Sequence, residues 1–336
     1  MGFPLSLKQH HPAPECPDIV HNRAFRVVAG VDWSADSLAG VRQIATLYAP
    51  DELVLVHALS SAGARVDTER LRLHVSAGRH QQMSVDAARR CLKWVSTLVQ
   101  RNGSTTREIC DIGVPTTVVP EAARAVGAAL IVVGHRGARE NLDRSMGSAS
   151  HRICLNADCS TLVVRKPLSS PVRALALVQE AEDVVALERW LRLFPFKEPT
   201  DLTVLCLMPR AQGGEQIGPL SVRFWKETAV QNAQSLLNGM VHSLCGRNLR
   251  VTGRASRGNP STIILQEGYN FDLLLLHGSD RKNRYAGRSG LPWRTLLRLA
   301  PCSTLVVRSP IEIARRPSPR FCCRRGIEES FLDLWR

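Results

Sequence analysis

The sequence predicts an α/β fold made of two tandem, doubly wound domains, each with a five-stranded parallel sheet. Its 336 residues correspond to two domains at roughly 150 residues each. The heptapeptide Cys-Ser-Thr-Leu-Val-Val-Arg occurs at 159–165 and again, unchanged, at 302–308. Short apolar runs alternate with helical patterns in both copies, as a parallel sheet with crossover helices requires. These observations together indicate an internal duplication.

The first copy spans residues 24–166 and contains five predicted strands and four helices. Its strands are expected near Arg26–Val31, Leu53–His57, Thr106–Ile112, Leu130–Val133 and Thr161–Val164. Between the second and third strands, apolar residues recur at steps of three and four, which predicts one buried face of a helix. That face comprises Val85, Ala88, Cys91, Leu92, Val95, Leu98 and Val99.

The second copy spans residues 172–310 and repeats this plan. Its strands are expected near Ala174–Val178, Leu202–Leu207, Arg250–Arg254, Leu273–Leu276 and Thr304–Val307. Its long helix carries an apolar face of Ala229, Ala233, Leu236, Leu237, Met240, Val241 and Leu244. Only Lys166–Pro171 joins the copies, and so short a connection predicts that they pack together.

The termini and the composition exclude several protein classes. Residues 1–23 predict a disordered leader without a secretory signal, and 311–336 a basic C-terminal tail. No apolar run is long enough to span a membrane, so we expect a cytoplasmic protein. The ten cysteines form no CxxC pair, which argues against structural zinc and a disulfide framework, although Cys322 and Cys323 beside arginines would be redox-active if exposed. The net charge of +14 suits a polyanionic partner.

The loop after the fourth strand carries the strongest functional pattern in the chain. Gly134, Gly137 and Gly147-Ser148 are separated by two and nine residues. Glycines at strand and helix ends let a ligand approach the backbone, and a helix beginning at Gly147-Ser148 would offer N–H groups to a phosphate. Each residue also has a structural interpretation: Asp32 could cap the helix that starts around Ser34, the glycines could form turns, and Ser148 could be an N-cap.

This spacing resembles the G-x2-G-x9-G-[S/T] motif of the ATP-binding branch of the universal stress protein family. The resemblance extends to Val31-Asp32-Trp33-Ser34, Val56-His57-Ala58 and Gly113-Val114-Pro115. It implies that Asp32 and the backbone near Ala58 hold the adenine end of ATP. It further implies that Gly134 and Gly137 lie at the ribose and α-phosphate, that Gly147, Ser148 and Ala149 hold the remaining phosphates, and that Mg or Mn bridges the phosphate oxygens.

The second copy departs from the motif. Gln179 stands in place of Asp32, His277 in place of Gly134, and Gly290 is followed by Leu291-Pro292. We therefore expect that this copy has lost nucleotide binding. Its loop is basic, so it is either a solvated loop or an anion site; the residues concerned are Arg281, Lys282, Arg284, Arg288 and Arg294. The resemblance implies that this copy replaces the partner of a homodimer, as an intramolecular pseudodimer paired through the last strands.

The leading functional prediction is an ATP-binding universal stress protein that acts as a nucleotide-dependent regulator of a stress response through an unidentified protein partner. The tandem chain could also form a homodimer. One alternative is a scaffold that binds nucleic acid or an acidic partner without nucleotide, and a weaker one is a slow Mg-dependent ATPase. No catalytic residue or protein metal ligand is predicted. His135 and His151 flank the phosphate site without a triad partner, and we expect them at the surface or on the phosphates.

Overall fold

The computed structural model describes residues 24–59, 77–99, 105–137, 146–208, 219–244, 248–278 and 293–308. The predicted leader and tail, with Cys322 and Cys323, lie outside these residues. So do Gly290 and four of the five basic loop residues, Arg281, Lys282, Arg284 and Arg288.

The N-terminal half, from β1 to β5, alternates strands and helices as predicted. Its strands are β1 Arg26–Gly30, β2 Glu52–Leu59, β3 Thr105–Ile112, β4 Leu130–Gly134 and β5 Ser160–Val164. Its helices are α1 Ala35–Leu47, α2 Ala77–Val99, α3 Pro115–Val126 and α4 Ser148–Asn156. Local sequence sets several of these ends. Ser34 caps α1 with its side chain, and α3 starts with a proline and ends at Gly127, whose φ of 63° is the left-handed C-cap conformation.

The C-terminal half, from β6 to β10, repeats the same order. Its strands are β6 Val172–Val178, β7 Thr200–Met208, β8 Leu249–Arg257, β9 Leu273–His277 and β10 Ser303–Val307. Its helices are α5 Ala181–Leu193, α6 Pro219–Leu244, α7 Pro260–Glu267 and α8 Trp293–Leu299, with a 3-10 turn at Gly268–Asn270 after α7. None of the helices in the described part of the chain is both long and apolar enough to cross a membrane.

The ten strands form one continuous sheet in the order β3-β2-β1-β4-β5-β10-β9-β6-β7-β8. Strands within each half are parallel, and β5 and β10 pair antiparallel at the centre, with Thr161 opposite Val306 and Val163 opposite Thr304. Both copies of the repeated heptapeptide therefore meet at this junction. The predicted α/β fold class, with pairing through the last strands inside one chain, is confirmed.

The two halves also share a hydrophobic core. Aromatic residues from both sides meet where α1 approaches α5: the Phe25 and Phe194 rings stack with centroids 4.3 Å apart, and the Trp190 indole donates to the Tyr48 hydroxyl at 3.1 Å. Complete burial raises the pKa of Tyr48. Because this cluster is assembled from both halves, separating them would expose aromatic surface as well as the edges of β5 and β10.

The apolar face of α2 is narrower than predicted, whereas that of α6 is confirmed for its described residues. In α2, Ala88, Leu92, Val95 and Val99 are buried, but Cys91 and Leu98 are exposed, so the prediction was wrong for those two residues. They lie at the margin of the stripe, and only its centre contacts the sheet. In α6, the side chain of Ala229 is outside the described residues; Ala233, Leu237, Met240 and Leu244 are buried, and Leu236 and Val241 pack partly against them.

Candidate functional site

The candidate site lies at the carboxyl ends of β1 and β4, which are neighbours in the sheet. From β1 the chain order continues through β2 to β3 on one side, whereas β4 and β5 lie on the other. This point of reversal is where open α/β sheets have a crevice for ligands. The segments that carry Asp32 and Gly134 to Gly137 both leave the sheet here.

Asp32 organises the start of α1 without capping the helix itself. Its Oδ1 accepts hydrogen bonds from the Ser34 amide at 3.0 Å and the Ser34 hydroxyl at 2.6 Å. The Ser34 side chain in turn accepts from the Ser37 amide at 3.1 Å, so Ser34 is the N-cap. The interpretation of Asp32 as the cap of α1 is therefore wrong, because the Ser34 side chain accepts the hydrogen bond from the helix and Asp32 binds Ser34.

Gly134 allows β4 to end against the first turn of α1. A Cβ at this position would lie 2.6 Å from the Ser37 amide nitrogen and 2.8 Å from the Asp36 carbonyl carbon. Both are backbone atoms that cannot move aside cheaply. The Gly134 carbonyl accepts from the Ser150 hydroxyl of α4 at 2.6 Å, which ties the strand end to a second helix. Gly134 is thus required by close packing and is more than a turn former.

Gly137 faces Asp32 across the crevice. A Cβ on Gly137 would lie 3.0 Å from the Asp32 Oδ2, and any larger side chain would cover that carboxylate. The preceding backbone is fixed to α1, because the Arg136 amide donates to the Asp36 Oδ2 at 3.1 Å. The second motif glycine therefore packs directly against Asp32, where a larger side chain would collide with the carboxylate.

Gly147 closes the motif loop at the start of α4. Its amide donates to the His135 carbonyl at 2.9 Å, so the two ends of the segment 135–147 are hydrogen-bonded to each other. Gly147 is the N-cap of α4, and among the described residues no side chain caps this end. Ser148 is the first helical residue, which corrects its interpretation as an N-cap, and Ala149 follows it in the first turn. The start of α4 thus faces the same crevice as Gly134.

Ala58 lies near the end of β2, next to an aromatic pair. The ring of His57 lies 4.9 Å from that of Trp33, and its Nδ1 is 2.6 Å from the Val31 carbonyl oxygen. Trp33 has a φ of 66°, a left-handed backbone conformation that residues other than glycine seldom adopt. Its side chain is 37% exposed. An outlier of this kind beside a crevice is typical of a ligand site.

Burial and arginines set the electrostatics of the crevice. Burial raises the pKa of Asp36 above its usual 3.8, although Arg136 and Arg165 oppose the rise. Burial, then Arg165 and Arg136, lower the pKa of His135 to about 4, and this residue is 3% exposed. The expectation that His135 lies at the surface is therefore wrong. Its imidazole is neutral at pH 7 and is a weaker base than an exposed histidine.

Several residues that shape this site were missed at the level of sequence. Asp36 and Ser150 act through backbone contacts that have no spacing signature, and the left-handed conformation of Trp33 has no signal in its residue type. The described residues include no group of three or more His, Cys, Asp or Glu side chains that could hold a metal ion.

The corresponding point in the C-terminal half is arranged differently. His277 pairs with Val307 as Gly134 pairs with Val164, so the two residues occupy equivalent positions. The His277 Nδ1 is 3.0 Å from the Asp183 Oδ1, while the Asp183 Oδ2 accepts from the amides of Gln179 and Glu180 at 2.9 and 3.1 Å. His277 thus has a buried side chain and a side-chain partner at the position where the first half has a glycine packed against the start of α1.

Comparisons with known proteins agree with this description. Residues 24–165 match the model of the universal stress protein family, so the N-terminal half is similar to domains of that family. No curated protein sequence matches the chain.

Solved structures extend the likeness to both halves. A universal stress protein from Archaeoglobus fulgidus is 15% identical, with a TM-score of 0.51 over 84% of this chain and 96% of its own. A functionally unknown protein from Pseudomonas aeruginosa is 12% identical, with a TM-score of 0.57 over 88% of this chain and 96% of its own. At these identities the likeness shows the fold alone.

Proposed function

We propose that the N-terminal half binds ATP at the carboxyl ends of β1 and β4, and that the chain acts as a nucleotide-dependent regulator of a stress response. The observation that carries the proposal is the convergence of all three motif glycines on one crevice. Gly134 contacts the start of α1, Gly137 faces Asp32, and Gly147 opens α4. The family match of residues 24–165 supports the same function.

The adenine end is proposed to lie between Asp32 and the region of Ala58. A carboxylate only accepts hydrogen bonds and therefore suits the amino group of adenine. The exposed ring of Trp33 suits stacking on the base, since aromatic side chains stack on any nucleobase. The pair formed by Trp33 and His57 stands beside Ala58, on the side of the crevice away from α4.

The phosphate end is proposed to lie over Gly147, Ser148 and Ala149. The first turn of a helix presents amide groups and the positive end of the helix dipole, both of which favour an anion. The Ser148 hydroxyl adds a donor. Mg or Mn would arrive with ATP and take its ligands from phosphate oxygens, and it would neutralise phosphate charge. The ribose and α-phosphate would lie between these ends, over Gly134 and Gly137.

Regulation would follow from the motif loop. The His135 carbonyl and the Gly147 amide join its two ends, so a nucleotide held at both ends changes the surface that the loop offers to a protein partner. A partner that binds one arrangement better would shift the population towards it. Slow hydrolysis of ATP is a separate prediction, which single-turnover measurements with Mg would test.

The test compares Gly147→Asp with Gly147→Asn. Both side chains are good N-caps of equal size, and the backbone of Gly147 is in a region open to any residue, so both variants should fold. Only the aspartate places a negative charge at the proposed phosphate site. We expect Gly147→Asp to lose ATP binding in calorimetry, and Gly147→Asn to retain part of it.

Nucleotide released from the purified wild-type protein supplies the second readout. We expect about one ATP per chain, because the C-terminal half lacks the motif. Two per chain would show that the second half also binds. Full ATP affinity in Gly147→Asp, or a wild-type protein that is empty and ignores added ATP with Mg, would contradict the proposal. Salt-sensitive binding of DNA that ATP does not affect would favour the scaffold alternative instead.

A further inference from the structure

A cleft of about 1140 Å³ opens between the two halves, next to the candidate nucleotide site. Its position follows from the antiparallel pairing of β5 and β10, which brings the residues after β5 to the last turn of α8. The Arg165 amide donates to the Ser303 hydroxyl at 3.1 Å, and the Arg165 guanidinium donates to the Ala300 carbonyl. The cleft is thus built jointly by both halves.

The walls of this cleft carry an unbalanced positive charge. Arg136, Arg165 and Lys166 line it from the N-terminal half, and Arg294 and Arg298 from the C-terminal half. None of the described residues that line it is acidic. Among the described residues, the carboxylate of Asp36 raises the pKa of Arg165, and it already accepts a hydrogen bond from the Arg136 amide. The cleft therefore concentrates positive potential.

The charges influence one another across the junction. Burial, then Arg298 and Arg294 of the C-terminal half, lower the pKa of His151 in the N-terminal half. Burial and then Arg136 lower the pKa of Arg165. On α8 itself, Arg294 and Arg298 are four residues apart and exposed, a spacing at which like charges repel. The arrangement therefore costs stability in the absence of an anion.

Two buried polar atoms at the cleft also have no hydrogen-bond partner among the described residues. They are the Nε of Arg136 and the Nε2 of His151. Leaving such atoms unpaired is unfavourable, and a ligand with several acceptor oxygens would relieve it. Arg136 belongs both to this cleft and to the loop between Gly134 and Gly137, so the cleft continues from the candidate nucleotide site.

We propose that this cleft binds a polyphosphate chain, with Arg294 and Arg298 opposite Arg136, Arg165 and Lys166. One guanidinium group can donate two parallel hydrogen bonds to the oxygens of a phosphate. Cations on two facing walls suit an anion whose charge is spread along its length. The chain has two possible sources. It is either a free inorganic polyphosphate, or the distal phosphates of a nucleotide in the neighbouring site, and the second source rests on the function proposed above.

The experiment titrates inorganic tripolyphosphate into the full-length protein without nucleotide, by calorimetry. Arg294→Ala/Arg298→Ala is the test variant, since both side chains are exposed and their removal should spare the fold. The control variant is Arg250→Ala/Arg257→Ala, which also removes two positive charges, but from β8, away from the cleft. We expect wild type and the β8 variant to bind equally, and the test variant to lose at least about tenfold in affinity per arginine.

A parallel titration with MgATP separates the two sources. If tripolyphosphate binding weakens in the test variant and MgATP binding does not, or MgATP does not bind at all, the free chain is the ligand. If both weaken, the cleft binds the chain from either source. If only ATP binding weakens in the test variant, the chain is the nucleotide's own. The proposal is overturned if neither ligand responds to the test variant, or if the β8 variant loses as much. It is also overturned if a single-stranded oligonucleotide binds the same arginines more tightly than either ligand.

Discussion

Gly134 and His277 end equivalent strands in the two halves, yet each strand end packs against the next helix in a different way. At Gly134 the strand end meets the first turn of α1 so closely that even a Cβ would overlap backbone atoms. At His277 a buried imidazole fills that space and bonds to Asp183, which also binds two amides at the start of α5. In the first arrangement the strand end lies directly against the start of a helix, and in the second a side-chain network joins the strand end to the start of the helix.

The difference bears on the phosphate site that we propose for the N-terminal half. A ligand that is bound by amides needs backbone that it can approach closely, and glycine allows such an approach. The C-terminal half instead uses its strand end for internal hydrogen bonds. The same fold can therefore end this strand with a glycine packed against the next helix or with a buried, hydrogen-bonded side chain, and one strand-terminal residue marks which of the two is present.

The largest expected effect comes from Gly134→Ala. The added Cβ would press on the backbone of Ser37 and Asp36, so we expect the free energy of unfolding to fall by about 3 kcal/mol. We also expect the variant to lose ATP binding. Urea denaturation and calorimetry measure the two effects. Gly239→Ala in α6 is the control, because nothing lies within 4 Å of its Cβ, and it should gain up to about 1 kcal/mol. Equal stability of the two variants would contradict the close approach.

Trp33→Ala should reduce affinity for ATP without a comparable loss of stability. Stacking on a base contributes about 1–3 kcal/mol, so the dissociation constant should rise by about 5- to 150-fold in calorimetry. Trp33→Phe should recover most of the affinity. Trp94→Ala, which removes an exposed tryptophan from α2, should bind ATP like wild type. If Trp33→Ala also binds normally, the aromatic pair does not contact the base.

Asp183→Ala tests the filled strand end of the C-terminal half. It removes the partner of His277 and the acceptor of two amides, so we expect a loss of about 1–3 kcal/mol in stability. ATP affinity should not change, because the crevice of the other half is intact. A fall in ATP affinity without a change in melting temperature would mean that the two strand ends have been assigned the wrong roles.

The smallest effect is expected from Asp36→Asn. Because burial raises the pKa of Asp36, its ionised form is disfavoured in the folded state, and that penalty develops as the pH rises above 3.8 through the folded pKa. Asparagine keeps an acceptor for the Arg136 amide and has no charge. The variant should therefore melt slightly higher than wild type at pH 7, and the difference should vanish near pH 3. A lower melting temperature at pH 7 would show that the charge is stabilising.

The fold could be predicted because its signals are local. Leu130–Val133 was predicted as a strand and Leu130–Gly134 forms one, since a buried parallel strand is a continuous apolar run. The prediction of a strand at Arg250–Arg254 had the least accurate bounds, because the strand continues to Arg257. β8 is an outer strand, and polar and apolar residues are mixed along it. The exposure of Cys91 was missed because periodicity defines a helix face but not its width.

The site was predicted only in part, for a related reason. Motif spacing identified Gly134, Gly137 and Gly147, whose role depends on the backbone between them. It gave no indication of Asp36 or Arg298. Arg294 was predicted in a basic loop, but it lies on α8 with Arg298, and both reach the neighbourhood of His151 through the pairing of β5 with β10. Those contacts join residues that are distant in the chain. No local sequence pattern predicts which residues of the second half lie next to the first.

The pairing of β5 with β10 has a consequence for how this molecule can change. When two identical subunits meet across a twofold axis, every substitution appears on both sides, so a change that helps one side and harms the other is not available. Here the facing strands belong to a single chain, and Gly134 and His277 can differ although the strands beside them, Ser160–Val164 and Ser303–Val307, are identical in sequence. One half is thereby free to change its strand end while the junction that both halves need stays unaltered.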